Sequence, residues 1–139
     1  MPYLLLAFVL GLVAGLRTFT APAVLWLVRH FGPWAIALGA MAVIEYAVDL
    51  LPNAPPRTST TGLLARVVSG AFVGWTIGFA AGRSSIAGAI AGAIGAVIGA
   101  YGGLAIRLRL IAAIGNVPAG LLEDAVAIVA AIAIVSRVP

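Results

Sequence analysis

Seven ionisable side chains lie inside or at the ends of strongly apolar segments, where charge is uncommon and usually serves a function. Three are arginines, and the other four are all of the carboxylic acids in the chain: Arg17, Arg66, Arg107, Glu45, Asp49, Glu123 and Asp124. An isolated charge is unfavourable in an apolar interior, so each guanidinium needs a partner. The expected chemistry is therefore electrostatic, either binding of a charged solute or pairing that holds helices together.

Arg17 lies in the most unusual segment, Gly15–Pro22, which reads G-L-R-T-F-T-A-P. Proline lacks a backbone donor and clashes with the carbonyl four residues earlier, which predicts a helix break near Thr18. Backbone N–H groups released there, together with the guanidinium and the hydroxyls of Thr18 and Thr20, could hold an anion. The alternative is two short helical pieces with Arg17 extending to the membrane interface. We favour the functional interpretation.

Glu45 and Asp49 are four residues apart, so both carboxylates lie on one face of a helix. They could bind a proton or cation or line a substrate pocket, or they could pair with Arg66 or Arg107. Both interpretations stay open for Glu45, whereas the structural one is favoured for Asp49.

Glu123 and Asp124 open the last apolar segment, where acids complement the helix dipole. Adjacent residues point about 100° apart on a helix. We therefore expect only one of them, Glu123, to face the interior.

Other kinds of chemistry lack the residues they need. Cysteine is absent, His30 is the only histidine, and no Ser-His-Asp set, H-E-x-x-H motif or phosphate loop occurs. We therefore expect no enzyme activity, no metal and no cofactor. All eight basic residues are arginines placed singly or nearly so, which argues against nucleic acid and favours anionic lipid headgroups as their partners.

The elements that must position these charges are membrane helices. The chain has 139 residues, of which 63% are hydrophobic and 9% charged, and its mean hydropathy is +1.19. Apolar runs of about 20 residues can cross roughly 30 Å of hydrocarbon. We predict an all-α membrane protein with one transmembrane domain, 1–139, built as a bundle of four or five helices. The predicted segments are 3–28 (broken near Arg17–Pro22), 34–51, 62–82, 86–106 and 119–135.

The alternating direction of these segments predicts which charges share an end of the bundle. One end, here called end Y, collects most of them: Glu45, Asp49, Arg57, Arg66, Arg107, Arg109, Glu123 and Asp124. The opposite end, end X, collects Arg29, His30, Arg83 and Arg137. End Y has four arginines and end X has three. Because positively charged residues are more frequent on the cytoplasmic side, this favours a cytoplasmic location for end Y.

Glycine is concentrated in segments three and four, which form a predicted helix hairpin over 62–106. It recurs at spacings of three and four residues, at positions that include Gly70, Gly74, Gly78, Gly88, Gly92, Gly95 and Gly99. Small residues at such spacings let two membrane helices approach closely. The short connection favours contact within one chain, with contact between two copies as the alternative.

A short internal sequence similarity relates two segments that run in opposite directions: Glu45-Tyr46-Ala47-Val48 resembles Glu123-Asp124-Ala125-Val126. Inverted repeats of this kind are typical of transporters. Coincidence among common membrane residues is the alternative.

Three motifs resemble a bacterial integral membrane protein family of unknown function. They are G-L-R-T-F-T-A-P (15–22), R-T-x-x-x-G-L-x-A-R-x-x-S-G-A (57–71) and L-L-E-D-A-V-A (121–127). The resemblance implies an integral protein of the bacterial inner membrane, and it implies no particular activity.

The preferred functional hypothesis is a small transporter or channel for an anionic or zwitterionic solute. Its pocket would be lined by Arg17, Glu45, Arg66, Arg107 and Glu123, three of which are cationic. A dimer is expected because one chain of this size encloses little volume. The alternative is a non-transporting subunit of a larger membrane complex, whose ion pairs only fix the bundle. Intramembrane catalysis is least favoured, since no activated nucleophile is evident.

Overall fold

The computed structural model describes residues 2–30, 32–51 and 58–139, and these ranges contain six α-helices and no strand. The helices are α1 (Tyr3–Leu16), α2 (Thr20–Arg29), α3 (Pro33–Asp49), α4 (Thr60–Ala80), α5 (Ser85–Ile114) and α6 (Asn116–Val135). The prediction of an all-helical protein is confirmed. Arg57, which was assigned to end Y, lies outside the described residues.

Three helices, α4, α5 and α6, are long and apolar enough to cross a membrane. Large apolar side chains also face outward along the bundle, and Trp34 and Phe79 are each 76% exposed. Helices satisfy their own backbone hydrogen bonds, so such a surface suits lipid as its solvent. These features fit a membrane protein. These three helices are fewer than the four or five predicted spans. The difference arises because the first segment divides into two short helices and α3 has only 17 residues.

The first predicted segment reverses direction at residues 17–19. At end X, the guanidinium of Arg83 lies 5.9 Å from the ring centroid of Tyr3, and both residues line one cavity with Arg137. Arg29, at the end of α2, donates to the carbonyl oxygen of Val138 at 2.8 Å. The start of α1 and the end of α2 therefore lie at the same end of the bundle.

The predicted break near Arg17–Pro22 is confirmed, and the segment forms two short helices. The prediction that these make one span over 3–28 is wrong, because the chain turns back at the break and makes an antiparallel pair, the α1–α2 hairpin. Arg17 is extended, with φ −140° and ψ 118°. Pro22 lies in the first turn of α2, where its missing N–H needs no helical partner. With 14 and 10 residues, α1 and α2 are about 21 and 15 Å long at ~1.5 Å per residue. Arg17 lies at the tip.

Helix α5 packs between α1 and α4, and glycine makes both contacts possible. A Cβ atom on Gly88 or Gly92 would collide with the backbone of Gly74 or Gly70 on α4. A Cβ atom on Gly78 would meet the carbonyl oxygen of Ser84 at 2.7 Å and the Cα atom of Ser85 at 2.8 Å, where the hairpin closes.

Gly95 and Gly99 contact α1 instead of α4, where the hairpin prediction had put them. A Cβ atom on Gly95 would meet the carbonyl oxygen of Phe8, and one on Gly99 would meet that of Leu12. Both neighbouring helices therefore contact the glycines of α5, and Gly92 lies against both, because a Cβ atom on Gly11 of α1 would also meet its carbonyl oxygen.

Candidate functional site

The α1–α2 hairpin carries its arginine into the middle of four other helices. Arg17 is 0% exposed, and its guanidinium forms ion pairs with Asp49 of α3 and Asp124 of α6. Glu123 Oε2 lies 3.8 Å from the same group. The extended backbone at the tip makes this possible, because the side chain leaves α1 beyond its last turn while the Arg17 N–H still bonds Val13 O at 2.8 Å. One buried cation thus links α3 to α6.

Glu45 of α3 caps the second arm of the hairpin. Its carboxylate accepts from the backbone N–H of Thr18 at 2.7 Å and from that of Phe19 at 3.0 Å. Helix α2 has no side-chain cap of its own, so a carboxylate from another helix serves its amino-terminal end. Arg66 Nη2 of α4 lies 3.6 Å from Glu45 Oε1, the oxygen that also accepts from Thr18. Glu45 therefore connects α2, α3 and α4.

Arg107 of α5 completes the arrangement near the start of α6. Its Nη1 donates to Asp49 at 2.7 Å and to Glu123 at 3.0 Å, and its Nη2 donates to the side-chain oxygen of Asn116 at 3.3 Å. Asp49 consequently accepts from two arginines that come from different parts of the chain.

The seven residues form what is here called the charge cluster: Arg17, Arg66, Arg107, Glu45, Asp49, Glu123 and Asp124. All seven belong to the set identified from the sequence. Ion pairs join Arg17, Arg107, Asp49, Glu123 and Asp124 into one group. The Glu45–Arg66 pair is connected to that group through the backbone N–H groups of the hairpin tip, next to Arg17. If all are ionised, four carboxylates and three guanidinium groups give a formal charge of −1. The predicted cationic excess came from counting only five of the residues.

One expectation about individual residues is wrong, and so is one of the alternatives. Glu123 and Asp124 are both buried, at 8% exposure each, although only Glu123 was expected to face inward. Arg107 and Arg17 approach α6 from different sides. Two adjacent α6 side chains that point about 100° apart can therefore both lie inside the bundle. Arg17 also does not extend to an interface, as the alternative interpretation required, because it is fully enclosed.

The groups that were expected to hold one anion at the break have separate partners: the backbone N–H groups of Thr18 and Phe19 bind Glu45, whereas the Arg17 guanidinium pairs with other carboxylates. The backbone N–H of Thr18, and not its hydroxyl, binds the Glu45 carboxylate. The hydroxyl of Thr20 instead lies 2.5 Å from the Tyr46 hydroxyl. The carbonyl of Thr18 accepts from Ser69 at 2.5 Å.

Sequence reasoning missed Tyr46, Ser69 and Asn116. Tyr46 follows Glu45 directly and also places its ring 5.4 Å from the Arg17 guanidinium. Ser69 lies three residues after Arg66, hence on the same face of α4. Tyr46 and Ser69 could have been identified as polar residues close in sequence to Glu45 and Arg66, whereas nothing in the sequence indicated Asn116.

The chain was compared with known protein families, curated proteins and solved structures. No match was found in any of the three. What the cluster does must therefore be argued from its own geometry.

End X carries no comparable arrangement in the part of the chain that the structure describes. Arg29 binds the last carbonyl groups of the chain, and the His30 ring packs on Trp26 with centroids 5.3 Å apart. Among the described residues, no group of three or more histidine, cysteine or acidic side chains is placed to hold a metal ion.

Chemically, the charge cluster is suited to exchange of ionic partners. Its deepest group, Arg17, is enclosed, but the side chains of Asp49 and Glu45 keep 19% and 12% exposure. A cavity of about 340 Å³ also adjoins Arg107 and Glu123 between α5 and α6. A solute with its own charges could replace one partner of a pair without leaving the other unpaired, which is the condition for binding at low dielectric.

Proposed function

We propose that the protein is a small membrane transporter that binds a zwitterionic or anionic solute at the charge cluster. One observation carries the proposal: Arg17, at the tip of a hairpin too short to cross the bilayer, is buried against carboxylates of two different helices. Broken or re-entrant helices whose tips meet near the middle of the membrane are a common way to build solute sites in transporters.

Of the two solute classes, the zwitterion is favoured. The cluster has a formal charge of −1, so an added anion would meet repulsion from four carboxylates. A zwitterion brings one group of each sign. Its cationic group can pair with Asp49 or Glu45, and its anionic group can pair with the arginine that this carboxylate releases. The total number of ion pairs is then the same before and after binding.

The proposed arrangement in the membrane has four spans, α3 to α6, with the α1–α2 hairpin entering from end X. Helix α3, at about 26 Å for ~1.5 Å per residue, is a little short and would need a thin or locally adjusted bilayer. The bacterial inner membrane is the proposed location, in keeping with the family that the motifs resemble, and end Y is proposed to be cytoplasmic. A homodimer is proposed as the working unit.

Transport is tested with purified protein in liposomes by counterflow of labelled glycine, glycine betaine and glycerophosphocholine, which are water-soluble zwitterions. Wild-type protein should give uptake above empty liposomes for at least one of them. Uptake should fall by at least about tenfold in Arg17→Lys, since a point charge cannot bridge two carboxylates as a guanidinium does. Arg109→Ala, at an exposed position on α5, is the matched control and should keep full uptake.

Retention of the fold is checked by size exclusion and helix content for each variant. A folded Arg17→Lys protein with wild-type uptake would contradict the role of the cluster. The absence of uptake of all three solutes by the wild type would contradict the transport proposal for this solute class.

A second function, an accessory subunit of a larger membrane complex, is favoured by the closed packing around the same arginine. Arg17 is wholly enclosed and sits among carboxylates that make further ion pairs, an arrangement that would suffice to fix a bundle. In that case Arg17→Lys should lower thermal stability, no solute should be taken up, and cross-linking in native membranes should give one constant larger assembly.

A further inference from the structure

A cavity of about 580 Å³ lies at end X, at the opposite end of the bundle from the charge cluster, and two arginines share it. Its walls come from the start of α1, from the turn between α4 and α5, and from the residues that follow α6. Arg83 and Arg137 supply its charge, whereas Pro2, Leu4 and Leu6 supply much of its apolar lining. The cavity therefore offers both cationic and apolar contacts to a ligand.

The backbone near each helix end positions the two arginines. Gly82 follows α4 with a φ of 61°, which glycine adopts without strain, and the chain turns there. The Arg83 N–H donates to the Gly78 carbonyl oxygen across this turn at 2.9 Å. Arg137 comes two residues after the end of α6, and its N–H donates to the Ile134 carbonyl oxygen at 3.0 Å. Both arginines thus lie just beyond helices that are long enough to cross a membrane.

Both guanidinium groups are available to an anion from outside the chain. Neither forms a hydrogen bond or an ion pair with any residue in the ranges 2–30, 32–51 and 58–139. All four carboxylate side chains of the chain belong to the charge cluster at end Y. The carbonyl oxygens of Val138 and Pro139 accept from a third arginine, Arg29. The charges of Arg83 and Arg137 are therefore not neutralised by an acidic side chain of this protein.

Tyr3 orients one of these groups without using its donors. The guanidinium carbon of Arg83 lies 5.9 Å from the centroid of the Tyr3 ring, within the range of a cation–π contact. Such a contact involves the flat face of the guanidinium, so the N–H groups around its edge stay free to donate. Pairs of arginine N–H groups match the spacing of phosphate oxygens. Arg83 is thus held in an orientation that allows it to bind a phosphate group.

We propose that this cavity binds the phosphodiester headgroup of an anionic phospholipid through Arg83 and Arg137. The proposal goes beyond the proposed transport function, because the site uses none of the residues of the charge cluster. Basic pockets among membrane helices are a usual way to bind anionic headgroups. The bound lipid would connect the start of α1 to the α4–α5 turn and to the end of α6.

The charge of the cavity selects an anionic over a zwitterionic lipid. End X has no carboxylate side chain to pair with the ammonium group of a phosphocholine, so a headgroup whose only charge is negative is the better complement. The apolar lining favours a lipid over free phosphate. Leu4 is 41% exposed, so the cavity continues onto the outer surface of α1. An acyl chain can lie there while the phosphate contacts the arginines.

The probe is phosphatidylglycerol, which is compared with phosphatidylcholine carrying the same acyl chains. Native mass spectrometry of the detergent-purified protein counts the bound lipids at each lipid concentration. Phosphatidylglycerol should bind at one saturable site, and phosphatidylcholine should bind at least about tenfold more weakly, a difference of ~1.4 kcal/mol. Because the attraction is ionic and exposed to solvent, this difference should shrink as the salt concentration is raised.

Substitutions locate the site. Arg83→Gln and Arg137→Gln should each weaken phosphatidylglycerol binding by about threefold, half of that difference in free energy, and the double variant should bind both lipids equally. Arg109→Gln, which also removes one exposed arginine but at end Y, is the matched control and should keep the wild-type preference. Both arginines of the site are exposed, so the variants should fold, which size exclusion and helix content check.

Equal binding of the two lipids by the wild type would overturn the proposal without any variant. An equal loss in Arg109→Gln would also overturn it, because general charge attraction would then account for the binding. Inorganic phosphate and glycerophosphoglycerol, the headgroup without acyl chains, are added as competitors. Neither should displace the lipid at equal concentration. Displacement at that concentration would assign the cavity to a free phosphate compound and contradict the lipid as its ligand.

Discussion

Gly70 on α4 and Gly92 on α5 face each other across the helix hairpin so closely that a Cβ atom on either would meet the carbonyl oxygen of the other, nearer than the 3.0 Å that real Cβ atoms keep. The contact is reciprocal and involves backbone on both sides. Neither partner can move aside without moving a whole helix. The close contact in the hairpin therefore requires glycine, which has a hydrogen atom in place of Cβ, at these two positions.

Replacement of Gly92 by alanine should destabilise the bundle by about 1–3 kcal/mol, the usual range for added volume in a packed core. Gly102, on the same helix, has open space where its Cβ would lie. Gly102→Ala should therefore be neutral or stabilise by up to about 1 kcal/mol through helix propensity. Thermal unfolding in detergent, followed by circular dichroism, measures both. Equal effects of the two substitutions would show that the close contact is unimportant.

Arg107→Ala should lower the free energy of unfolding by up to about 3 kcal/mol, because it leaves the buried Glu123 and the half-buried Asp49 with Arg17 as their remaining ionic partner. The control is Arg109→Ala, two residues further along α5 at an exposed position, which should change stability by no more than about 0.5 kcal/mol. Denaturant titration of both proteins provides the comparison. Similar losses would mean that the ion pairs add little to the stability of the bundle.

Glu45→Gln should loosen the start of α2. The carboxylate accepts two backbone N–H groups through two oxygens, and glutamine offers one oxygen, so a loss of about 1–2 kcal/mol is expected, as for a helix cap. Hydrogen exchange followed by mass spectrometry should show faster exchange in a peptide covering 17–24. Peptides from α5 serve as the internal reference. Unchanged exchange at 17–24 would argue that other contacts fix the hairpin tip.

Tyr46 and Thr20 should show a measurable pairwise energy. Their hydroxyls lie 2.5 Å apart, and both residues are at least half-buried. A double-mutant cycle of Tyr46→Phe and Thr20→Val should give a coupling of about 0.5–1.5 kcal/mol in unfolding experiments. Additive effects of the two single substitutions would contradict a direct bond.

Local sequence signals predicted that the chain is helical and roughly where its helices lie, although α5 continues to Ile114, beyond the predicted end at 106. The chain is too apolar and too poor in charge to fold around a water-facing surface, and Pro22, in the first turn of α2, indicated the break that precedes that helix. The choice of seven ionisable residues also needed only their positions in apolar segments. In that setting each charge requires a partner, whichever fold supplies it.

Tertiary structure decided how those elements meet. In a membrane protein, helix faces towards lipid and towards protein are both apolar, so hydrophobic periodicity does not say which neighbour a face contacts. The reversal at residues 17–19 depends on packing of α1 along α5, and the burial of both Glu123 and Asp124 depends on arginines from opposite directions. Arg17 and Asp49 are 32 residues apart, and Asp49 and Arg107 are 58 apart. Residue types determined that these charges must be paired, and only the packing of the helices determined with which partners.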